Sequence, residues 1–191
     1  MATSKRKHLT QDEVAALLQA AKAGSHPERD YCLITLCFLH GFRASELRQL
    51  RLSDIDLTGK RICIYRLKKG FSTIHPLLDE EVKALTVWLG MRGDFLNANT
   101  EWLFLSRQGN PLSRQRIYQL IAQLGTIAGI GVQAHPHMLR HACGFALADR
   151  GVDTRLIQDY LGHRNIRHTV WYTASNAQRF YGVWDDKKTQ I

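Results

Sequence analysis

Apolar residues recur at helical spacing over most of the chain, which predicts a mainly α-helical protein. The first helix is expected to begin at a capping box, in which Thr10 and Glu13 satisfy free backbone amides. Its apolar stripe stops near Gly24. A second helix over residues 28–40 is apolar on nearly all sides, so we expect it at the centre of the core, with Gly41 ending it.

The pattern changes to short β-like runs between residues 61 and 77. The runs 61–66 and 73–77 flank Lys68-Lys69-Gly70, which predicts an antiparallel hairpin. The remaining pattern predicts a short helix opened by Arg43, a candidate strand over 102–105, and helices over 79–89, 113–128, 137–150, 153–161 and 166–174. The expected fold class is therefore mainly α with a small antiparallel β-sheet.

Charge narrows the class of partner. The chain has 191 residues, enough for one domain, and its 26 Lys and Arg exceed 17 Asp and Glu, giving a formal net charge of +9. Such an excess favours a polyanionic partner, either nucleic acid or an anionic membrane surface. No apolar run approaches the ~20 residues of a membrane span, and no apolar segment follows the basic start as in a signal peptide. The cysteines lack paired spacing and are expected to be reduced thiols: Cys32, Cys37, Cys63 and Cys143.

The helix that Pro136 opens carries the first candidate site. His137, Arg140 and His141 fall at i, i+3 and i+4, so they share one face near the positive end of the helix, where a phosphate could bind. Taken alone, such a face is more often solvated or structural. The two histidines also resemble half of a zinc site, but Met138 stands where the zinc-protease pattern has Glu, and we predict no metal.

Two further positions gain meaning only in combination. Gly162-His163 by itself is an ordinary helix end, and Tyr172 beside Trp171 is by itself an ordinary core position. A phenol loses its proton only near pH ~10 when unperturbed, so a nucleophilic tyrosine needs cations or a base nearby. The arginine and histidine groups, with Arg43 from an earlier segment, would supply them.

In this order the residues resemble the catalytic motifs of the tyrosine recombinases, also called the phage integrase family. The match runs from about residue 9 to 175. It comprises Gly41-Phe42-Arg43-Ala44-Ser45-Glu46-Leu47, the hairpin Lys68, His137 with Arg140, Leu161-Gly162-His163, and Tyr172. Six positions in sequence make chance agreement very unlikely.

The segments 66–73, 135–141 and 153–170 resemble, more narrowly, the subgroup of recombinases that controls fimbrial phase variation. That resemblance implies inversion of a promoter-bearing DNA segment. Most members of the larger family carry a separate amino-terminal helical domain that completes a clamp round the duplex. Here the catalytic pattern begins almost at once, so we expect no such domain.

The resemblance implies roles for five catalytic groups. Tyr172 would attack the scissile phosphorus, forming a 3′-phosphotyrosine and releasing a 5′-hydroxyl. Arg43 and Arg140 would brace the non-bridging oxygens, and His137 and His163 would hydrogen-bond to them. His137 is the better candidate to accept the phenolic proton.

The remaining roles fall on the hairpin and on supporting positions. Lys68 would be the general acid for the leaving oxygen, with Lys69 as its close rival because one residue of misalignment exchanges them. Glu46 would orient Arg43 unless it makes only a surface ion pair, and His141 would support the catalytic face. No metal, ATP or other cofactor is expected.

The expected partner is double-stranded DNA with inverted-repeat sites, bound by a tetramer on synapsed DNA with accessory DNA-bending proteins, in the bacterial cytoplasm at the nucleoid and not at a membrane. The alternatives are a type IB topoisomerase-like enzyme and a catalytically silent DNA-binding regulator. The expected organisation is a basic arm (1–9), a catalytic domain (10–175) and a tail (176–191) whose apolar stripe, Phe180, Val183 and Trp184, docks on a neighbouring subunit or on its own domain. Candidate DNA contacts are Lys5, Arg6, Lys7, Arg66, Lys69, Arg114 and Arg116.

Overall fold

The computed structural model describes residues 6–66 and 72–175. Helices dominate this part of the chain, and a small antiparallel sheet joins them, which confirms the predicted fold class. The helices are α1 (Gln11–Lys22), α2 (Pro27–Leu39), α3 (Ala44–Arg48), α4 (Asp79–Arg92), α5 (Arg114–Ile127), α6 (Pro136–Asp149), α7 (Thr154–Leu161) and α8 (Arg167–Ala174), with a short 3₁₀ helix at Leu52–Asp54. The strands are β1 (Ile55–Asp56), β2 (Arg61–Ile64) and β3 (Thr73–Pro76).

The helical centre of the molecule is α2, as the sequence predicts. Its side chains are buried on several faces, with Leu33, Ile34 and Leu36 fully enclosed. It packs against α1, α4 and α6. The capping box at the start of α1 is also confirmed, because the Glu13 amide donates to Thr10 Oγ1 at 3.2 Å while the Thr10 amide donates to the Glu13 carboxylate.

The sheet has the strand order β1-β2-β3, with both pairs antiparallel. The two strands of the predicted hairpin are confirmed, and β1, only two residues long, was too short for a sequence signal. The candidate strand over 102–105 is wrong, since that segment forms only isolated bridges. Two backbone carbonyls of this segment accept hydrogen bonds from side chains of α4 and not from a neighbouring strand. Trp88 donates to Leu103 O at 3.0 Å, and Arg92 donates to Trp102 O at 2.6 Å.

The buried apolar side chains form two groups. The larger group contains side chains from the helices α1 through α6 and from the sheet. The smaller group consists of Cys143, Ala148, Ile157, Leu161 and Tyr172. The predicted nucleophile therefore packs in a subsidiary core between α6, α7 and α8. All four cysteines are free thiols, and no helix in the described part of the chain is long and apolar enough to cross a membrane.

Gly41 makes the turn that delivers Arg43 to the site. It has a left-handed backbone with φ +59°, and a Cβ at this position would overlap the Leu161 side chain. The turn therefore requires glycine both for its backbone angle and for the close approach of α7. Since Phe42 and Arg43 follow directly, this turn fixes the direction in which Arg43 leaves the core.

We predict that Gly41→Ala lowers the free energy of unfolding by about 1–3 kcal/mol, because alanine is strained at positive φ and its methyl meets Leu161. Urea denaturation measures the change. Gly90→Ala is the matched control: Gly90 lies within α4, where an added Cβ would have no atom within 4 Å, so alanine should instead add about 0.4–1 kcal/mol. Equal stability of the two variants would contradict this account of the turn.

Candidate active site

Arg140 joins the two halves of the site. Its side chain is on α6 and only 1% exposed. The guanidinium donates to Gly41 O at 2.5 Å and to Leu161 O at 2.7 Å, so it ties α6 both to the turn before α3 and to the end of α7. Burial, with Arg43 and Arg66 nearby, lowers the pKa of Arg140 to about 10, which leaves it charged at neutral pH.

Arg43 and Glu46 meet at the start of α3. Arg43 Nη1 donates to Glu46 Oε1 at 2.6 Å, and the Arg43 amide donates to Glu46 Oε2 at 2.9 Å. The Glu46 side chain is 1% exposed, whereas that of Arg43 is 34% exposed. This contact is not a surface ion pair; its geometry suits the predicted role of Glu46 in orienting Arg43, and that role stays a prediction.

Arg66 has a different place from the one expected. Its guanidinium is buried, donates to Glu46 Oε2 at 2.9 Å and donates to Tyr160 O at 2.6 Å. A buried side chain with these partners is not available to a DNA phosphate. The prediction that Arg66 contacts DNA is therefore wrong, because the side chain turns into the protein to pair with a buried carboxylate.

The phenol of Tyr172 is enclosed and hydrogen-bonded. The side chain is 1% exposed, and its hydroxyl lies 2.9 Å from His141 Nδ1. Its ring packs closely over Gly144, where any Cβ would overlap it. Burial raises the pKa of the Tyr172 hydroxyl to about 12, although the charge of Arg140 opposes that rise. For the predicted attack on a phosphate, the phenol would have to leave this packing and lose its proton to a base.

Three histidines belong to the same cluster, and two of them, His141 and His163, lie beside the Tyr172 ring. The rings of His137 and His141 meet edge to face with centroids 4.4 Å apart, and the ring of His163 lies 6.1 Å from that of Tyr172. His163 Nδ1 lies 3.0 Å from Thr169 Oγ1. Burial and neighbouring cations lower the pKa of His141 to about 4 and that of His163 to about 3, and they lower the pKa of His137 as well. Neutral imidazoles can accept a proton, and the one in contact with the phenol is His141, not His137.

A cavity of about 1170 Å³ opens beside this cluster. Cationic and aromatic side chains in its wall make it suited to an anionic ligand: Arg6, Lys7, His137, His141, Arg167 and Trp171. Arg167 and Trp171 were not among the site residues predicted from the sequence. The signal that could have found them is their i, i+4 spacing on the helix that carries Tyr172.

The other predicted site residues are divided between described and undescribed segments. Arg114 and Arg116 are exposed at the start of α5, Lys7 is exposed, and Arg6 pairs with Glu13. Their role as DNA contacts stays a prediction. The predictions for Lys5, Lys68, Lys69, Phe180, Val183 and Trp184 lie outside the described residues.

Comparisons with known proteins identify the family of the chain. The model of the phage integrase family matches residues 7–179. The type 1 fimbriae regulatory protein FimB of Escherichia coli K12 is 65% identical over 181 residues, which cover 95% of this chain and 90% of that protein. FimE of the same strain is 56% identical over 183 residues, covering 95% and 92%. The crystal structure of XerA recombinase superposes with a TM-score of 0.82 at 28% identity, over 99% of this chain and 68% of that one.

The chain belongs to the phage integrase family, the class of protein that its fold and its arginine, histidine and tyrosine cluster define. Within that family it is a site-specific tyrosine recombinase of the FimB and FimE type. Both conclusions confirm the resemblance found in the sequence.

The depressed histidine pKa values predict a pH-dependent stability. His141 and His163 titrate near 6.5 when unfolded but at about 4 and about 3 when folded. As the pH falls below about 6.5 the unfolded state binds these protons first, so their contribution is complete above that pH and is lost on acidification. We expect the free energy of unfolding to fall between pH 7 and 5, above the range in which most carboxylates titrate.

Urea denaturation at several pH values measures this loss, and His163→Phe should give a flatter profile because it removes one of the histidines whose pKa is lowered by folding. Wild-type protein that was equally stable at pH 7 and pH 5 would contradict the neutral state of these histidines.

Proposed function

We propose that this recombinase inverts a promoter-bearing DNA segment and thereby switches fimbrial gene expression, through a 3′-phosphotyrosine intermediate. The observation that carries the chemistry is the convergence of Arg43, Arg140, three imidazoles and Tyr172 from distant parts of the chain. The identity to FimB and FimE, which are named as regulators of type 1 fimbriae, supports the biological role.

In the proposed reaction, the Tyr172 oxygen bonds to the scissile phosphorus while the bond from phosphorus to the 5′-oxygen breaks. Arg43 and Arg140 stabilise the charge that grows on the non-bridging oxygens, and preorganised electrostatic stabilisation of this kind is usually the largest contribution to catalysis. Lys68, with Lys69 as its alternative, protonates the leaving oxygen. The covalent link retains the bond energy, so the strand is resealed when a 5′-hydroxyl attacks it, and ATP is not needed.

The phenolic proton has two candidate acceptors. His137 is the acceptor that the sequence resemblance favours, but the contact of 2.9 Å between His141 Nδ1 and the Tyr172 oxygen favours His141 in the resting protein. Because burial keeps this imidazole neutral, it has a free electron pair for the proton. We therefore assign proton acceptance to His141 and phosphate contact to His137 and His163.

Inversion requires two duplexes to be cut together, so we propose a tetramer on synapsed inverted repeats, assisted by DNA-bending proteins at the nucleoid. Exposed Arg114 and Arg116, together with the basic arm, are the proposed contacts to the DNA backbone. Sedimentation of the complex with two-site DNA tests the tetramer. A complex with two subunits at full recombination activity would contradict it.

The central test uses a duplex nicked close to the cleavage site, from which the released strand diffuses away. We expect the wild type to become covalently attached to the 3′ side of the cut and Tyr172→Phe to form no adduct at all, since the phenylalanine ring fills the same space without the oxygen. Denaturing gel electrophoresis measures the adduct. Absence of a wild-type adduct would favour a catalytically silent DNA-binding regulator, and relaxation of a two-site plasmid without inversion would favour a topoisomerase.

The two histidines can be separated by their pH profiles. We expect His141→Phe to slow adduct formation roughly 100-fold at neutral pH, because it removes the proton acceptor. The rate should then rise about tenfold per pH unit in alkaline buffer, as phenolate forms without help. His137→Phe should lose activity by a factor that does not depend on pH. If His137→Phe showed the alkaline recovery instead, the assignment would be reversed.

A further inference from the structure

Glu46 is one buried carboxylate shared by two arginines. Its Oε1 accepts from Arg43 Nη1 at 2.6 Å, and its Oε2 accepts from Arg66 Nη1 at 2.9 Å. The two arginines differ in environment, because the side chain of Arg66 is 0% exposed and that of Arg43 is 34% exposed. One of them can therefore meet a ligand and the other cannot.

Further hydrogen bonds hold the Arg66 side chain in position behind this carboxylate. Its Nη2 donates to Tyr160 O at 2.6 Å and to His40 O at 3.4 Å. Gly162 leaves room for it, since a Cβ at that position would lie 2.9 Å from Arg66 Cγ. Both additional partners are neutral carbonyl groups, so the charge of Arg66 is offset within the described residues by Glu46.

The charge balance of this cluster decides how much positive charge Arg43 can offer. Without Arg66, the buried Glu46 would pair with Arg43 alone, and the pair would carry no net charge. With Arg66 present, the three groups together carry one positive charge, and Arg140 adds another. Charges interact strongly in a site shielded from water, so an excess of this kind favours an anion at the exposed end of the cluster.

We propose that Arg66 is a positioning residue that offsets the charge of Glu46, so that Arg43 keeps its positive charge for the scissile phosphate. This inference rests on the proposed function, because it concerns the same phosphate. Arg66 touches neither DNA nor the reacting atoms and acts through Glu46 on Arg43.

The test compares two nicked duplexes that differ at the scissile phosphate. One has the natural phosphodiester, and the other has a methylphosphonate, in which a methyl group replaces a charged non-bridging oxygen. The cleavage rate of the phosphodiester divided by that of the methylphosphonate measures how far the enzyme depends on the phosphate charge. This quotient is called the rate ratio. Arg66→Met should lower this ratio roughly 10- to 100-fold relative to the wild type, because Glu46 then neutralises Arg43 and stabilisation of the charged transition state is lost.

Two variants separate charge from folding. Arg29→Met is the matched control, since it also removes a buried arginine paired with a buried carboxylate, that of Asp30, at 2.8 Å. It should lower stability and leave the rate ratio unchanged. Arg66→Lys keeps the charge without the planar fork, so its ratio should remain close to that of the wild type.

If Arg66→Met does not fold, the double variant Arg66→Met/Glu46→Gln removes both charges and should be easier to accommodate. Arg43 is then unopposed, and the glutamine oxygen can still accept a hydrogen bond from it. The rate ratio of the double variant should therefore resemble that of the wild type, while the rates on both duplexes fall because Glu46 no longer orients Arg43 as an ion pair. A large fall of the ratio in this variant or in Arg66→Lys would overturn the inference.

The remaining outcomes are distinct. Equal losses on both substrates in Arg66→Met, as in a merely destabilised protein, would overturn the inference and leave the proposed function intact. So would unchanged rates on both substrates. Failure of the wild type to attach to the phosphodiester duplex would overturn the proposed function, and this inference with it.

Discussion

The burial of Arg66 and Arg140 is the constraint on which the rest of the structure depends. A charged group removed from water must have hydrogen-bond acceptors for its donors, and removing one partner of a buried ion pair is strongly destabilising. Arg140 does this with carbonyls of Gly41 and Leu161, and Arg66 does it with Glu46 and the carbonyl of Tyr160. Both arginines therefore bind the amino-terminal half of the fold to α7, and catalytic groups from the two halves are brought together as a consequence.

The resting site carries positive charge while it encloses Tyr172, the proposed nucleophile. Burial keeps Tyr172 protonated, and the neutral His141 already holds its hydroxyl. An incoming phosphate would supply the negative charge that the arginine cluster lacks. The same arrangement thus favours DNA binding and disfavours reaction of the tyrosine in its absence, since both the packing of α8 and the phenolic pKa oppose attack.

Most of the fold could be predicted because its signals are local. The capping box of α1, the apolar faces of the helices and the glycine at Gly41 all depend on residues a few positions apart. The errors have non-local causes: the carbonyls of 102 and 103 are taken by Trp88 and Arg92 from another helix, which prevents a ladder of strand hydrogen bonds. Arg66 was misplaced for a similar reason, because a single basic residue at a strand end gives no sign of its burial.

The sequence by itself determined the helical class, the basic character and the family, and it predicted the reactive groups, because residue type and spacing carry that information. Only the tertiary structure decided which histidine contacts Tyr172, that Glu46 is shared between two arginines, and that Arg66 faces inward. The physical reason is that hydrogen-bond partners and burial depend on the packing of segments that lie far apart along the chain. The spacing of residues in the sequence can therefore predict which side chains belong to such a site, but which atoms they contact depends on how the helices pack.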